Sequence, residues 1–384
     1  MAQVSTTKEA KTRVRENVMS KLSTPSIYVC WDPASMNFHA HRTESGVTRI
    51  LGPSDIERFF YQGLYVDSDM FLIRAMHCLT FASCESLWAL VRFWYHEEVA
   101  RASEEKRGRL AVPCFEYYYD CYGRIRALAK YGLVCWYEFT PEYAASGRER
   151  KAESVYKASG HAIGFYKKKL LERDMPSDPL DAYCNPEDIF MHALNAQTLT
   201  AFLGAGYVRN VKFKQTVNIG NRRHKIRAYI NFNEKGLNGD KKDDTTVIFE
   251  GMTFRTNENL VKKSTRYEAN RERIREVSAV LDEFNKQKPT FLVVSCEDAA
   301  GVQSAFQLIK ETAPDILTKC FFTSGNVIAE SEVHRNPAAL KNCFLGVEKN
   351  GNGYYIDGAA GYYFLESTND GISLNFHNAY GQAT

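Results

Sequence analysis

The sequence predicts an α+β chain of two successive domains, and three observations carry that expectation. At 384 residues the chain is roughly two to three times the length of an ordinary domain. Its first half is a series of apolar patterns with a period of three to four, closed by a single strand pair. Its second half alternates helix, three strands, helix, strand, helix and strand. Hydrophobic residues at 44% and aromatics at 13% supply real cores, which excludes wholesale disorder. The formal net charge is only +3, so any surface for a polyanion must be local.

Residues 1–25 set Lys8, Lys11, Arg13, Arg15 and Lys21 against Glu9 and Glu16, five minus two, a net +3 in one arm. "SIYVCWDP" and "GVTRIL" then read as short strands. "PSDIERFFYQG" and "SDMFLIRAMHCLTFAS" open on proline or serine/aspartate start signals and continue with helical periodicity. "SCESLWALVRFWYHEEVARA" is a further helix, and the charged loop "EEKRGR" follows it.

The next helix runs from about Phe115 to Tyr131. At 100° per residue, Tyr117, Cys121, Ile125 and Leu128 form a stripe that suits a core. Tyr119, Tyr122, Arg126 and Lys130 fall on the opposite side, with Arg124 as a further cation. Phenols alternating with cations are what a helix needs to meet phosphates and base edges in a groove. Gly132 stands where a left-handed residue ends a helix at little steric cost. "LVCWYEF" then reads as a strand and "SVYKA" as its return, with Arg148, Arg150 and Lys151 at the tip between them. Three cations there suit phosphate contact. A helix followed at once by a hairpin is the layout of a winged helix-turn-helix.

"SGHAIGFYKKKLLER" is a helix and "DMPSDPLDAYCNPED" a proline-rich joint. Beyond it come the helix "PEDIFMHALNAQTLTAFLGAG" and the strands "YVRNVKFKQTV", "HKIRAYINF" and "TTVIFEGMTF". Turns are expected at Gly220–Asn221 and over "EKGLNGDKKDD". The long helix "NENLVKKSTRYEANRERIREVSAVLDEFNK" is followed by the strand "TFLVVSC", the helix "DAAGVQSAFQLIKETA" and the strand "KCFFTS". Helix, three-stranded meander, helix, strand is the order of a restriction-endonuclease-like α/β core. The short strands "GYYIDG" and "GYYFLES" close the chain without a place in that core.

The expected organisation is therefore a basic arm with short strands over 1–50 and a winged helix-turn-helix domain over 51–175. A linker over 176–185, a nuclease-like domain over 186–335 and an extension over 336–384 follow.

Nucleases of that core carry an Asp near the end of the second strand and Glu/Asp-x-Lys on the third, to hold a divalent metal and orient water. Here Ala228, Tyr229 and Ile230 occupy the second strand, Glu250 is in register on the third, and Met252 stands at the lysine position. Glu234, Asp240, Asp243 or Asp244 with a migrated Lys262 or Lys263 could rebuild a site, but an acidic turn is ordinarily solvated. The better expectation pairs Glu250 with a cation such as Arg227 or Lys262, with no catalytic residues, no metal and no cofactor.

Other chemistries are weak. His39 and His41 lack a third ligand nearby, no GxxxxGK[ST] stretch is present, and Cys78 and Cys84 near His77 suit helix packing. The ten cysteines have no CxxC pair and no apolar run reaches a membrane span, so reduced thiols in a cytoplasmic protein are expected.

The chain resembles the replication-relaxation family of plasmids, conjugative elements and phages over roughly residues 66–330. "ALAKYGLV" is similar to that family's recognition helix before the wing, and "VYKASGHAI" to the wing's return strand. "DIFMHALNAQTL" is similar to the helix opening the second domain, and "VIFEGMTFRT" to its Glu-bearing strand. Where many members have Arg-Pro-Asp, this chain keeps Arg227 and has Ala228 and Tyr229. The resemblance implies a mobile-element protein that binds double-stranded DNA in replication, transfer or transcriptional control, as a homodimer or with replication and transfer proteins. Two alternatives remain open at this point: a metal-dependent nuclease using Glu250, and a protein-interaction or dimerisation module.

Overall fold

The computed structural model describes residues 36–39, 53–62, 67–101, 115, 117–139, 153–170, 186–204, 208–235, 241–254, 263–330, 339–340, 343–350, 353–357, 365–368 and 371–374. The chain is α+β and divides into two units. One takes Asp32–Pro141 with Glu149–Thr200, and the other holds Ala201–Thr384.

In the first unit, α1 (Pro53–Tyr61) opens with Pro53 in its first turn and Asp55 beside the partial positive charge of the helix start. Helix α2 (Asp67–Leu79) ends at Thr80, whose φ of +67° lets the Phe81 N–H reach the Leu79 carbonyl at 2.9 Å. That tight turn delivers Phe81 fully buried into the core and starts α3 (Cys84–Arg101) one residue after the short strand β2 (Ala82–Ser83). Helices α1 and α2 pack on α5 (Gly160–Leu170), α2 packs on α3, and α3 packs on α4 (Tyr118–Lys130). Leu72, Met76, Leu87, Leu90, Ile125 and Leu128 are all fully buried among them.

After α4 the chain pairs β3 (Val134–Phe139) with β4 (Glu153–Ala158), antiparallel from Val134↔Ala158 to Phe139↔Glu153. A third strand, β1 (Met36–His39), adds to β3, and β2 adds to β4 on the other edge. The expected strands near residues 26–33 and 47–51 lie outside the described residues. So does the tip between β3 and β4 with Arg148, Arg150 and Lys151. Helix α6 (Pro186–Gly204) begins in this unit, and the division between units falls within it, after Thr200.

The second unit is built on a five-stranded sheet in sequence order: β5 (Val208–Ile219), β6 (Arg222–Lys235), β7 (Lys241–Gly251), β8 (Thr290–Cys296) and β9 (Cys320–Ser324). The first three strands form an antiparallel meander. Strands β7, β8 and β9 are parallel and are joined by α7 (Lys263–Asn285) and α8 (Ala299–Thr312). All seven residues of β8 are buried, as its unbroken apolar run requires of a parallel strand covered on both faces. Asp298 caps α8 by accepting the Gly301 N–H at 2.8 Å. Beyond a 3₁₀ turn (Pro314–Lys319) and the short helix α9 (Gly325–Glu330), β10 (Gly346–Asn350) pairs with β11 (Gly353–Asp357) and packs on β9. A last hairpin pairs β12 (Leu365–Thr368) with β13 (Gly371–Leu374), and β13 packs on β6. The two closing strands expected from sequence are thus one arm each of separate hairpins.

Candidate nucleic-acid interface

Helix α4 shows how local sequence makes a two-sided element. Cys121, Ile125, Leu128 and Ala129, spaced by four, three and one, are its buried residues. Tyr117, expected in the same stripe, is 62% exposed. It is the N-cap residue, with φ −113° and ψ 147°, so its side chain leaves the helical spiral before the stripe begins. The helix therefore starts three residues later than the periodicity suggests.

Its end follows the expectation for Gly132. The glycine takes φ +77°, its N–H bonds the Ala129 carbonyl at 2.9 Å, and the Leu133 N–H bonds the Leu128 carbonyl at 3.0 Å. This paired closure satisfies two orphan carbonyls and leaves Leu128 and Leu133, on either side of it, fully buried. The chain can then enter β3 immediately. One glycine suffices to join a basic helix to a strand because it reverses the backbone without exposing either apolar neighbour.

On the other face, Tyr119 is 80% exposed, and Arg126 and Lys130 are exposed. The Tyr118 and Tyr122 rings stack with 13° between their planes, and the Arg126 guanidinium lies 5.7 Å from the Tyr122 centroid. Trp88 on α3 meets Tyr118 edge to face, and Arg92 lies 4.7 Å over the Trp88 ring. A ladder of cation, rings and cation therefore crosses from α3 to α4. Trp88, Arg92 and Tyr118 were not among the residues expected from sequence. Their signal was a spacing of four, Trp88–Arg92 and Tyr118–Tyr122–Arg126, which stacks side chains along a helix.

Arg124 is used differently from its expected role. Its Nε and Nη2 each donate at 2.5 Å to the two carboxylate oxygens of Asp69 on α2, which is 1% exposed. The hydrogen bond to Asp69 raises the Arg124 pKa further, against the opposing effect of burial. This fork ties α4 to α2, so Arg124 belongs to the support beneath the face and not to the face.

Glu250 forms the other notable cluster. Its place follows from register: Ala228 pairs with Phe249 across β6 and β7, so Arg227 and Glu250 are the next residues on each strand. Arg227 Nη1 donates to Glu250 Oε1 and, at 3.0 Å, to the Gly251 carbonyl. Arg273 on α7 takes Oε2 at 2.8 Å, and also bonds Glu276 at 2.8 Å and the Lys225 carbonyl at 2.6 Å. Burial pushes the Glu250 carboxyl up, but the two guanidiniums outweigh it and hold the carboxyl below its ordinary value. The expected partner Arg227 is present; the second cation is Arg273, while Lys262 lies outside the described residues.

Met252, at the position of a nuclease lysine, is 1% exposed and its N–H bonds the Ser295 carbonyl at 2.9 Å. Tyr229 packs edge to face on Phe284 of α7. The side chains of Glu234, Asp240, Asp243 and Asp244 lie outside the described residues, as do those of His39 and His41. Among the described residues, no three His, Cys, Asp or Glu side chains converge to hold a metal. Cys84, Cys121, Cys296, Cys320 and Cys343 are buried, and burial raises the pKa of Cys296 and Cys320, which keeps those two thiols unreactive. No described helix is long and apolar enough to cross a membrane. Comparison with protein families, curated proteins and solved structures returns no match to this chain.

Proposed function

We propose that this chain is a non-enzymatic, sequence-specific double-stranded DNA-binding protein. The observation that carries the reading is α4: a buried apolar stripe on one side, exposed Tyr119, Arg126 and Lys130 on the other, and a glycine-closed passage straight into a hairpin. Helices α2, α3 and α4 followed by β3 and β4 support a winged helix-turn-helix, with α4 as the groove-facing helix. Arg126 and Lys130 supply positive charge, Tyr122 braces Arg126, and Tyr119 offers a hydroxyl and a ring at the exposed start of the helix. Arg148, Arg150 and Lys151 would add phosphate contacts from the hairpin tip.

The sheet order of the second unit supports a restriction-endonuclease-like core that has become a scaffold. Both oxygens of Glu250 are already taken by arginines, and a divalent metal would have to displace those guanidiniums to reach them. The resemblance to replication-relaxation proteins supplies the setting, a plasmid, conjugative element or phage.

Repeated selection of bound duplexes from a random-sequence pool tests the reading. Convergence on one motif is the expected result. A pool that stays random through successive rounds, or no retention of duplex at low salt, would refute sequence-specific binding.

A further inference from the structure

The hairpin of β5 and β6 continues past the sheet it belongs to. Strand β6 pairs with β7 only from Ala228 onward, whereas β5 and β6 stay paired out to Ile219↔Arg222. Residues 215–227 therefore make a two-stranded ribbon, with no third strand hydrogen-bonded beside it among the described residues. Gly220, at φ +57°, holds the first of the two central turn positions, where a type II′ turn takes glycine, and Asn221 holds the second. At the root, Lys214 has φ +49° between the pairs Phe213↔Ala228 and Gln215↔Ile226. The register is unchanged across it, so Lys214 is a local break in the extended backbone and not an inserted residue. Arg273 fixes the same level by bonding the Lys225 carbonyl.

Strand alternation gives the ribbon two different faces. Ile226 is buried, and Gln215, Val217, Ile219 and His224 on its side are half-buried. The opposite face carries the cross-strand pairs Thr216↔Lys225 and Asn218↔Arg223, and all four residues are exposed. Asn221 and Arg222 at the turn are exposed as well. From Val208 to Asn233 the chain has seven lysines and arginines and no aspartate or glutamate. An ordinary solvated hairpin mixes both signs; this one presents cations and neutral hydrogen-bonding groups alone. Arg and Lys read guanine, Asn reads adenine, and Thr bonds either, while the major groove, about 12 Å wide, admits a two-stranded ribbon.

We propose that the β5–β6 ribbon is a second DNA contact, in which Arg223, Lys225, Thr216 and Asn218 enter the major groove of a duplex and Arg222 meets its phosphates. The ribbon belongs to a different unit from α4. The test uses the full chain with the photoreactive amino acid p-benzoylphenylalanine at Asn221, and separately the variant Arg223→Thr/Lys225→Thr, which keeps strand-forming residues in place. Illumination should crosslink Asn221's replacement to a mixed-sequence duplex. The double variant should lose on the order of tenfold to a hundredfold in affinity, and adding Arg222→Thr to it should make the salt slope shallower by about 0.9 for the phosphate contact removed. Crosslinking that persists in Arg126→Ala/Lys130→Ala supports the ribbon whatever becomes of the helix reading. Unaltered duplex affinity and slope in the ribbon variant would overturn the proposal. Ribbon-dependent binding to phosphatidylserine vesicles with duplex binding unaltered would overturn it too, and reassign the ribbon to a membrane surface.

Discussion

Replacing Glu250 by Gln asks whether the second unit is a scaffold or a disarmed-looking active site. The side chain is fully buried, while its partners Arg227 and Arg273 keep 20% and 16% of theirs in contact with solvent. Gln preserves the shape but removes the charge and turns an amide NH₂ toward a guanidinium, donor against donor. Two cations then face each other across a neutral group in a dry setting. Removing one member of a buried ion pair costs about 3–5 kcal/mol, and the partial solvation of both arginines places the change toward the lower end. For a unit spanning Ala201–Thr384, that corresponds to a fall in Tm of roughly 6–20 °C. Urea unfolding and thermal melting of the full chain, followed by circular dichroism, give the number. Leu at 250 with Met at both arginine positions should recover most of the loss, since a well-packed apolar trio avoids the desolvation cost. A loss below about 1 kcal/mol for Glu250→Gln would refute the scaffold assignment, because such a value is typical of exposed pairs. Nicking of supercoiled plasmid with Mg²⁺ or Mn²⁺ that disappears in Glu250→Gln would assign the residue to chemistry.

Three further outcomes follow from the same contacts. Gly132→Ala should cost about 1–2 kcal/mol in urea unfolding, since φ +77° places a Cβ against the following carbonyl; no measurable loss would remove the glycine closure from the account. Arg124→Gln should destabilise the first unit by about 3–5 kcal/mol, by stranding the buried Asp69, yet leave the salt slope of DNA binding unaltered; a shallower slope would return Arg124 to the DNA-facing set. Because the carboxyl of Glu250 is lowered in the folded state, its stabilisation is complete above the ordinary value of 4.5 and is lost as pH falls through the lowered one. Acid titration of stability should therefore be shallower in Glu250→Gln than in the parent below that value, and parallel curves would contradict the pairing.

What could be read from sequence was what local physics decides. The α4 stripe, its glycine closure and the seven-residue strand "TFLVVSC" needed only periodicity and a left-handed residue. What could not be read depended on partners distant in the chain. Arg124 looks like any surface cation until α2 brings Asp69 to it, 55 positions away. Arg273 looks like one of many charges on a polar helix until α7 crosses the sheet above Glu250. The tail of "EKGLNGDKKDD" read as a turn because Lys and Asp favour turns over strands. Residues 241–244 nonetheless join β7, where the register sets Lys242 opposite Glu234. Met36–His39 carried no strand pattern of its own and is ordered by the edge that β3 offers it.

The salt dependence of duplex affinity in Arg126→Ala/Lys130→Ala decides whether the outer face of α4 meets DNA. Fluorescence anisotropy of a selected duplex across a salt series gives both affinity and slope. With the fold intact by circular dichroism, the expected result is a loss of about 1–3 kcal/mol for each base contact removed and a slope shallower by about 0.9 for each phosphate contact removed. Affinity and slope equal to those of the parent chain would contradict it.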